Sequence, residues 1–447
     1  MTAQGGGRGL VVIHGHFYQP PRENPWTGQV DAEASAAPDH DWNVRITRES
    51  YRPLAAAYEY LSFDFGPTLL DWMEREARDV YDAVIHADRA SVKRLQHGNA
   101  LAMPYHHIIL PLASRRDKET EIRWGIADFK RRFGRDPAGL WLPETAVDRE
   151  TLDVLAARGI AFTVLAPNQV KKPPANGLPG KVALDGGRSI AVFVYDGGLS
   201  HDVAFGGMQS DPERWAGALE RTAAGAVAAI AVDGETFGHH HKGGSRGLTT
   251  MLHRLQHSHK VRVSNFAAAL GAHPPVESVE IVAPSSWSCA HGVERWRSAC
   301  GCRIHTDVQS QQDWRAPLRA AVDWLAAEIH SLYEREGASL PGGPWAFRDD
   351  AGGSGPVNGG EDAARLIEME RGVLRAMTSC GWFFDDIAGL EGRQVLKYAA
   401  HAIALSGPES SRLESGFVEK LGDARSNDPA AGSAADIFRQ SFQPAQP

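Results

Sequence analysis

The sequence predicts an α/β fold: a parallel sheet wrapped by helices, followed by a mainly helical C-terminal region. Three observations lead there. Apolar runs alternate with amphipathic stretches from residue 10 to about residue 263, the spacing of strand–helix units around a parallel sheet. The runs themselves are apolar at nearly consecutive positions, as strands buried on both faces require. Beyond Pro284 the strand pattern stops and long helical patterns cover 313–336 and 361–378. With 447 residues the chain exceeds a single core, so two domains are expected, at 1–283 and 284–447.

Taken in order, residues 10–13 read as the first strand and run directly into His14-Gly15-His16-Phe17-Tyr18-Gln19-Pro20-Pro21. Residues 22–48, rich in Pro, Asp and Ala, read as a long loop, a class that is usually functional in a compact domain. A helix is predicted over 51–60 and a short strand over 61–65. The charges and apolars of 115–132 fall at helical spacing, and 140–142 follow as a strand. Asp148 occupies an N-cap position before a helix at 149–158. Strands are predicted at 162–165, 190–195, 230–232 and 261–263, with helices at 212–224 and 248–256. Residues 337–360, dense in Gly, Pro and Asp, read as a flexible or shortened connection. Past Ser406, short helix signals mix with Pro, Ser and Gly, as in a fraying end.

A net charge of −8 offers no electrostatic footprint for nucleic acid or an anionic membrane. The first residues lack the pattern of a secretory leader, and no segment has the length of a membrane span. Three of the four cysteines fall within residues 289–302, which is not a disulfide framework for a chain of this length. A reducing cytoplasm is therefore expected. The 12 tryptophans suit either a large core or flat faces against sugar rings. There is no phosphate-cradling loop, dinucleotide fingerprint or nucleophile elbow.

Two segments end an apolar run at a carboxylate. In one, Leu140-Trp141-Leu142 meets Pro143-Glu144, and the proline ends the strand because it has no N–H for the ladder. In the other, Val232 is followed by Asp233-Gly234-Glu235-Thr236-Phe237-Gly238 and by His239, His240 and His241. Strand ends are where parallel barrels carry catalytic groups. Two carboxylates facing one cleft can split a glycosidic bond. The plainer readings are a surface charge or helix cap for Glu144 and an Asx turn for Asp233. Asp233 and Glu235 would repel if both were buried, so one is expected to be raised in pKa or paired with a cation. Three adjacent histidines cannot all converge, so at most two share a site.

His14 and His16 fall on one side of a strand, with Gln19 in the loop beyond. They are either cleft groups or a pair satisfied by neighbouring backbone. Tyr105-His106-His107 repeats the motif of histidine near a strand-like run. Cys289, His291, Cys300 and Cys302 are soft ligands, yet their spacing is not that of an ordinary zinc finger. The same loop can instead present Trp287, His291 and Trp296 to a sugar. Trp382 beside Asp385 and Asp386 reads either as helix core next to a cap or as ring stacking with carboxylates on hydroxyls.

These stretches together resemble glycoside hydrolase family 57, in the branch whose barrel is followed by the helical domain of unknown function DUF3536. The similar segments are 14–26, 98–112, 139–169, 233–241, 286–302 and 379–386. The resemblance implies an incomplete (β/α)7 barrel and a retaining mechanism on α-glucans, by hydrolysis or by transfer as in an amylase, glucanotransferase or branching enzyme. It makes Glu144 the nucleophile and Asp233 the acid/base. It places His14, His16, Gln19, Trp26, His107 and Trp141 near substrate, with Glu235, His239, Trp287, His291, Trp296, Trp382, Asp385 and Asp386. Phe17 and Tyr18 separate His16 from Gln19, a departure from the compact His-Gln-Pro form. No metal or cofactor is implied, and the partner is an oligo- or polysaccharide. Polar donors such as His14 or His16 are expected near Glu144, with a drier surround for Asp233. Two rivals stand beside this reading. One is a metal-dependent polysaccharide deacetylase using His14, His16, Asp233 and His239. The other is a glycan-binding protein without catalysis.

Overall fold

The computed structural model describes residues 8–224, 226–305 and 310–441. The chain divides into two compact units. The first comprises residues 8–19, 32–103 and 129–283; the second comprises 20–31, 104–128 and 284–441.

In the first unit the strand β1 (Gly9–Phe17) is buried along its whole length. It is longer than its apolar start suggests, because His14 and His16 continue the ladder. β1 runs parallel to β2 (Ser62–Phe65), with His14 opposite Ser62 and His16 opposite Asp64. β2 runs parallel to β3 (Ala100–Leu101). A second sheet holds β4 (Phe162–Leu165), β5 (Gly180–Ala183) and β6 (Ser189–Val194), with β4 and β6 parallel and β5 antiparallel to β6. Parallel bridges from Ala102 to Leu140 and from Gly139 to Phe162 tie the two sheets together. β7 (Val227–Asp233) pairs with β1 from Leu10 to His16. β8 (Val261–Val263) pairs with the first residues of β1. The parallel order is therefore β7, β1, β2, β3, residues 139–140, β4 and β6. This is the wall of an incomplete (β/α)7 barrel. Between β6 and β7 no ladder forms among the described residues, and the Asp196 amide donates to the Ala229 carbonyl at 2.7 Å.

The helix predicted after Asp148 spans Arg149–Ala157, and the Asp148 carboxylate caps it by accepting from the Thr151 amide at 2.7 Å. Two predictions differ from what forms. Residues 51–60 are not one helix; a π turn at Thr47–Tyr51 and a 3-10 turn at Tyr58–Tyr60 flank an irregular stretch. The run at 140–142 forms bridges rather than a full strand. The helices Pro67–Glu76 and Arg78–Leu95 were not anticipated, since their apolar stripes are diluted by charge.

The second unit is helical, with long helices at Arg315–Glu336, Glu361–Arg375, Leu390–Ala404 and Ser410–Leu421. The segment 337–360 corrects the expectation of a flexible linker. It contains the helix Pro344–Ala351, and the loop after it is tied to one buried guanidinium. Arg371 donates to the carbonyls of Ala351, Gly352, Ser354 and Gly355 and to the Glu368 carboxylate, at 2.9–3.0 Å. A planar fork with five N–H groups can hold four carbonyls at once, whereas an ammonium cannot. Replacing Arg371 by Lys is therefore expected to lower stability by about 2–4 kcal/mol, because several carbonyls lose their donor. The loop 351–360 would become the first site of limited proteolysis, read by mass spectrometry of the fragments.

Candidate active site

At the C-terminal end of β7 the apolar run stops and Asp233 follows. Across the ladder from Asp233 stands His16, and across β1 from His16 stands Asp64. The parallel register thus sets carboxylate, imidazole and carboxylate side by side. Asp64 is fully buried and serves both histidines. The His16 Nδ1 lies 2.7 Å from one of its oxygens and the His14 Nε2 lies 2.8 Å from the other. The second nitrogen of His14 pairs with Ser62 at 3.0 Å.

The two rings have opposite charge states. Burial lowers the pKa of His14 and prevails over the attraction of Asp64, which keeps the ring neutral. Burial also works against a charged His16, but the attraction and hydrogen bond of Asp64, with Asp233 and Glu235 adding to it, lift its pKa to about 9. His16 is a cation at neutral pH. Asp64 is held below the usual carboxylate range: burial opposes this, and the His16 charge with the two imidazole contacts outweighs it.

Asp233 is pushed the other way, up to about 7. Crowding by protein is the largest cause; the His16 cation opposes it, and Glu235, Glu144 and Asp64 add to it. Its outer side is open to water, which weakens the effect of crowding. The upward direction therefore rests on the three carboxylates as well. Their influence places Glu144 within electrostatic reach of Asp233.

Glu144 sits in the turn Pro143–Thr145 that ends the residue-140 segment. Its backbone is left-handed, with φ 56°, and Thr145 follows at φ 48°. Two consecutive non-glycine residues there, one of them β-branched, cost about 1–3 kcal/mol each and persist only when held by their surroundings. The holder is Gln169, fully buried. Its amide nitrogen donates to the Thr145 carbonyl at 2.7 Å, and its Oε1 accepts from the Thr145 hydroxyl at 2.7 Å and the Ala166 amide at 2.9 Å. Gln169→Ala is expected to lower stability by about 1–3 kcal/mol, read by a melting curve, since the buried Thr145 carbonyl and hydroxyl lose their partner.

Trp141 packs beneath both histidines, its ring centroid 4.5 Å from His14 and 5.5 Å from His16 and nearly parallel to each. It is fully buried, so its faces are spent on the imidazoles. Glu235 is buried and accepts from the Tyr51 hydroxyl and, at 3.5 Å, from the Gln19 amide. Burial raises its pKa against those donors.

The structure redistributes several residues singled out by sequence. Both nitrogens of His14 are committed to Ser62 and Asp64, so it does not serve Glu144 as expected. The three histidines diverge: His239 pairs with Glu49 at 2.6 Å, and His241 donates to the Ala204 carbonyl at 2.7 Å. His14, His16, Asp233 and His239 therefore do not form a shared ligand set of the deacetylase kind.

Within the second unit, His107 has φ 56° and pairs with the Ser379 hydroxyl at 2.7 Å. Trp296 and Trp382 are fully buried. The Trp382 ring lies under the Arg319 guanidinium at 4.0 Å, so both tryptophans belong to the helical core rather than to a stacking face. Asp385 accepts from the amides of Ile304 and His305. Asp386 accepts from Ala388, Ser426 and Asn427. These two carboxylates secure loops. Trp26, 51% exposed, and the half-buried Trp287 keep open surface. Reading the sequence missed Asp64, Ser62, Tyr51 and Gln169. A lone carboxylate inside the Phe63-Asp64-Phe65 strand was the available signal for the first.

Residues 42–282 match the family described as glycosyl hydrolase family 57. Residues 311–352 and 358–447 match a domain of unknown function, DUF3536. No curated protein sequence matches the chain. Among solved structures, an exo-type maltose-forming amylase from Pyrococcus sp. ST04 superposes with TM-score 0.74 at 14% identity, over 97% of this chain and 93% of that one. A 4-alpha-glucanotransferase from Thermococcus litoralis gives TM-score 0.59 at 17% identity, over 89% and 59%. A branching enzyme from Pyrococcus horikoshii gives 0.60 at 16%, over 97% and 94%. At these identities the likeness is one of fold.

Proposed function

The chain belongs to glycosyl hydrolase family 57, with a C-terminal DUF3536 domain, and on that premise we propose that it cleaves or transfers α-glucosidic bonds with retention, using Glu144 and Asp233. The observation that carries this is the electrostatic contrast at the end of β7. Asp233 is lifted to about 7 beside a His16 cation, within reach of Glu144. A carboxyl protonated near neutral pH is what a general acid needs. Asp233 protonates the departing glycosidic oxygen as Glu144 attacks the anomeric carbon. Asp233, now a carboxylate, then takes the proton from the water or sugar hydroxyl that displaces Glu144. Gln19, Tyr51 and Glu235 form a buried polar chain next to the acid, suited to hydroxyls of the reacting sugar.

The test is incubation of the full chain with a panel of α-linked glucans, with product anomers followed by NMR. Retention of the α configuration in the first product supports the proposal. Release of acetate from an acetylated glycan without cleavage of its backbone would overturn it, and so would glycan binding with no product at any pH. Transfer is distinguished from hydrolysis by longer or branched products.

A further inference from the structure

Outside the barrel, the described residues contain one grouping with the density of a metal centre. Cys289, His291, Cys300 and Cys302 each offer a ligand atom, and these atoms all lie within 4.8 Å of one another. The Cys289 sulfur is 3.9 Å from that of Cys300 and 3.8 Å from that of Cys302. The His291 Nδ1 is 3.6 Å from the Cys302 sulfur. Thiolates about 2.3 Å from a central zinc stand about 3.8 Å apart at the corners of a tetrahedron, and a sulfur–nitrogen edge is slightly shorter. The observed separations follow that pattern. They are far too long for a disulfide, whose sulfurs stand about 2.05 Å apart, and all the cysteines are free.

The backbone carrying these ligands is built to hold them. Gly292 has φ 83° and lies so close to the Pro284 carbonyl that a Cβ there would sit at 2.7 Å from its oxygen. That glycine turns the chain directly after His291, and the Ser286 hydroxyl closes the turn on the Gly292 carbonyl at 2.7 Å. Gly301, at φ 90°, turns the chain between the two later cysteines. The Gln312 side chain clamps this second turn, accepting from the Gly301 amide at 2.9 Å and donating to the Cys302 carbonyl at 2.7 Å.

Charge supplies an independent observation. Arg315 is fully buried and donates from Nη1 to the Cys302 carbonyl at 3.1 Å. Its Nε and Nη2 have no hydrogen-bond partner among the described residues. Three thiolates and a neutral imidazole around a divalent ion carry one net negative charge, which offsets this buried guanidinium.

We propose that Cys289, His291, Cys300 and Cys302 form a tetrahedral zinc site that fastens the 286–292 turn to the 300–302 turn. Four protein ligands leave no open position, so the ion is structural and takes no part in bond cleavage. Binding releases the thiol protons and leaves no change in oxidation state.

The full-length chain, purified without chelator, is assayed for metal by plasma mass spectrometry and for zinc released by an organomercurial. About one zinc per chain is expected, released only when the thiols are blocked. After exchange with cobalt(II), thiolate-to-metal charge transfer and intense tetrahedral d–d bands are expected. Cys302→Ser should lose the bands, and Cys380→Ser should keep them. If Cys302→Ser does not fold, the spectrum of the unaltered chain decides. Four freely titrating thiols with no cobalt bands would overturn the site, as would a Cys289–Cys300 disulfide in the protein as purified. A pale octahedral spectrum without charge transfer would also overturn it, because the metal would then be held by oxygen and nitrogen elsewhere.

Discussion

Replacing Glu144 by Gln is expected to lower turnover of an α-glucan by a factor of order 10⁴–10⁶, the range for loss of a nucleophile that acts in concert with its partners. Glu144→Gln keeps volume and hydrogen-bonding reach while removing the negative charge that attacks the anomeric carbon in the proposed mechanism. Folding should be unaffected, because the left-handed turn is held by Gln169 through the backbone and hydroxyl of Thr145. Steady-state kinetics, with a melting curve beside them, check both parts. A complementary measurement uses a slow substrate with a good leaving group. The glycosyl-enzyme should accumulate, and peptide mapping should place the added sugar mass on Glu144. Full activity in Glu144→Gln, or a label on another carboxylate, would remove the assigned nucleophile.

The pH profile should show its alkaline limb near the titration of Asp233. The acid must hold its proton to give it to the leaving oxygen. Asp233 is raised to about 7, so the competent form prevails below that pH, and kcat/KM declines as pH rises through it. The His16 cation works to lower Asp233. His16→Gln removes that opposition and leaves the Asp64 carboxylate less compensated. Both changes raise the Asp233 pKa, so the limb should move to higher pH. Asp233→Asn, which cannot titrate, should lose about 10²–10⁴ in rate and show no such limb. The readout is kcat/KM across the pH range for the three proteins. A limb that stays in place in His16→Gln would show that another group controls it.

Much of the proposed site was legible before any fold was known. Asp233 and Glu144 announced themselves because each interrupts an apolar run, and a strand buried on both faces tolerates a carboxylate only where it leaves the sheet. The strand at 162–165 was equally plain, since local hydrophobicity alone marks it. Asp64 was not marked in this way. It lies inside a short aromatic strand and became a site residue only when β2 aligned with β1 in parallel register. Gln169 holds a turn 24 residues away, a relation that no periodicity carries. Trp296, Trp382, Asp385 and Asp386 show the converse: their residue types suit a sugar site, and packing assigned them to core and loop closure.

The sequence by itself determined which residue types are available, where strands stop, and the family to which the chain belongs, because apolar runs and motif spacing are local properties of a chain. Only the tertiary structure decided which charges face one another. The opposite protonation of His14 and His16 depends on Asp64 lying across a ladder, and the gathering of three sulfurs and an imidazole depends on two turns meeting. Electrostatic energy falls with distance in space, and distance in space between residues far apart in sequence is set by the fold.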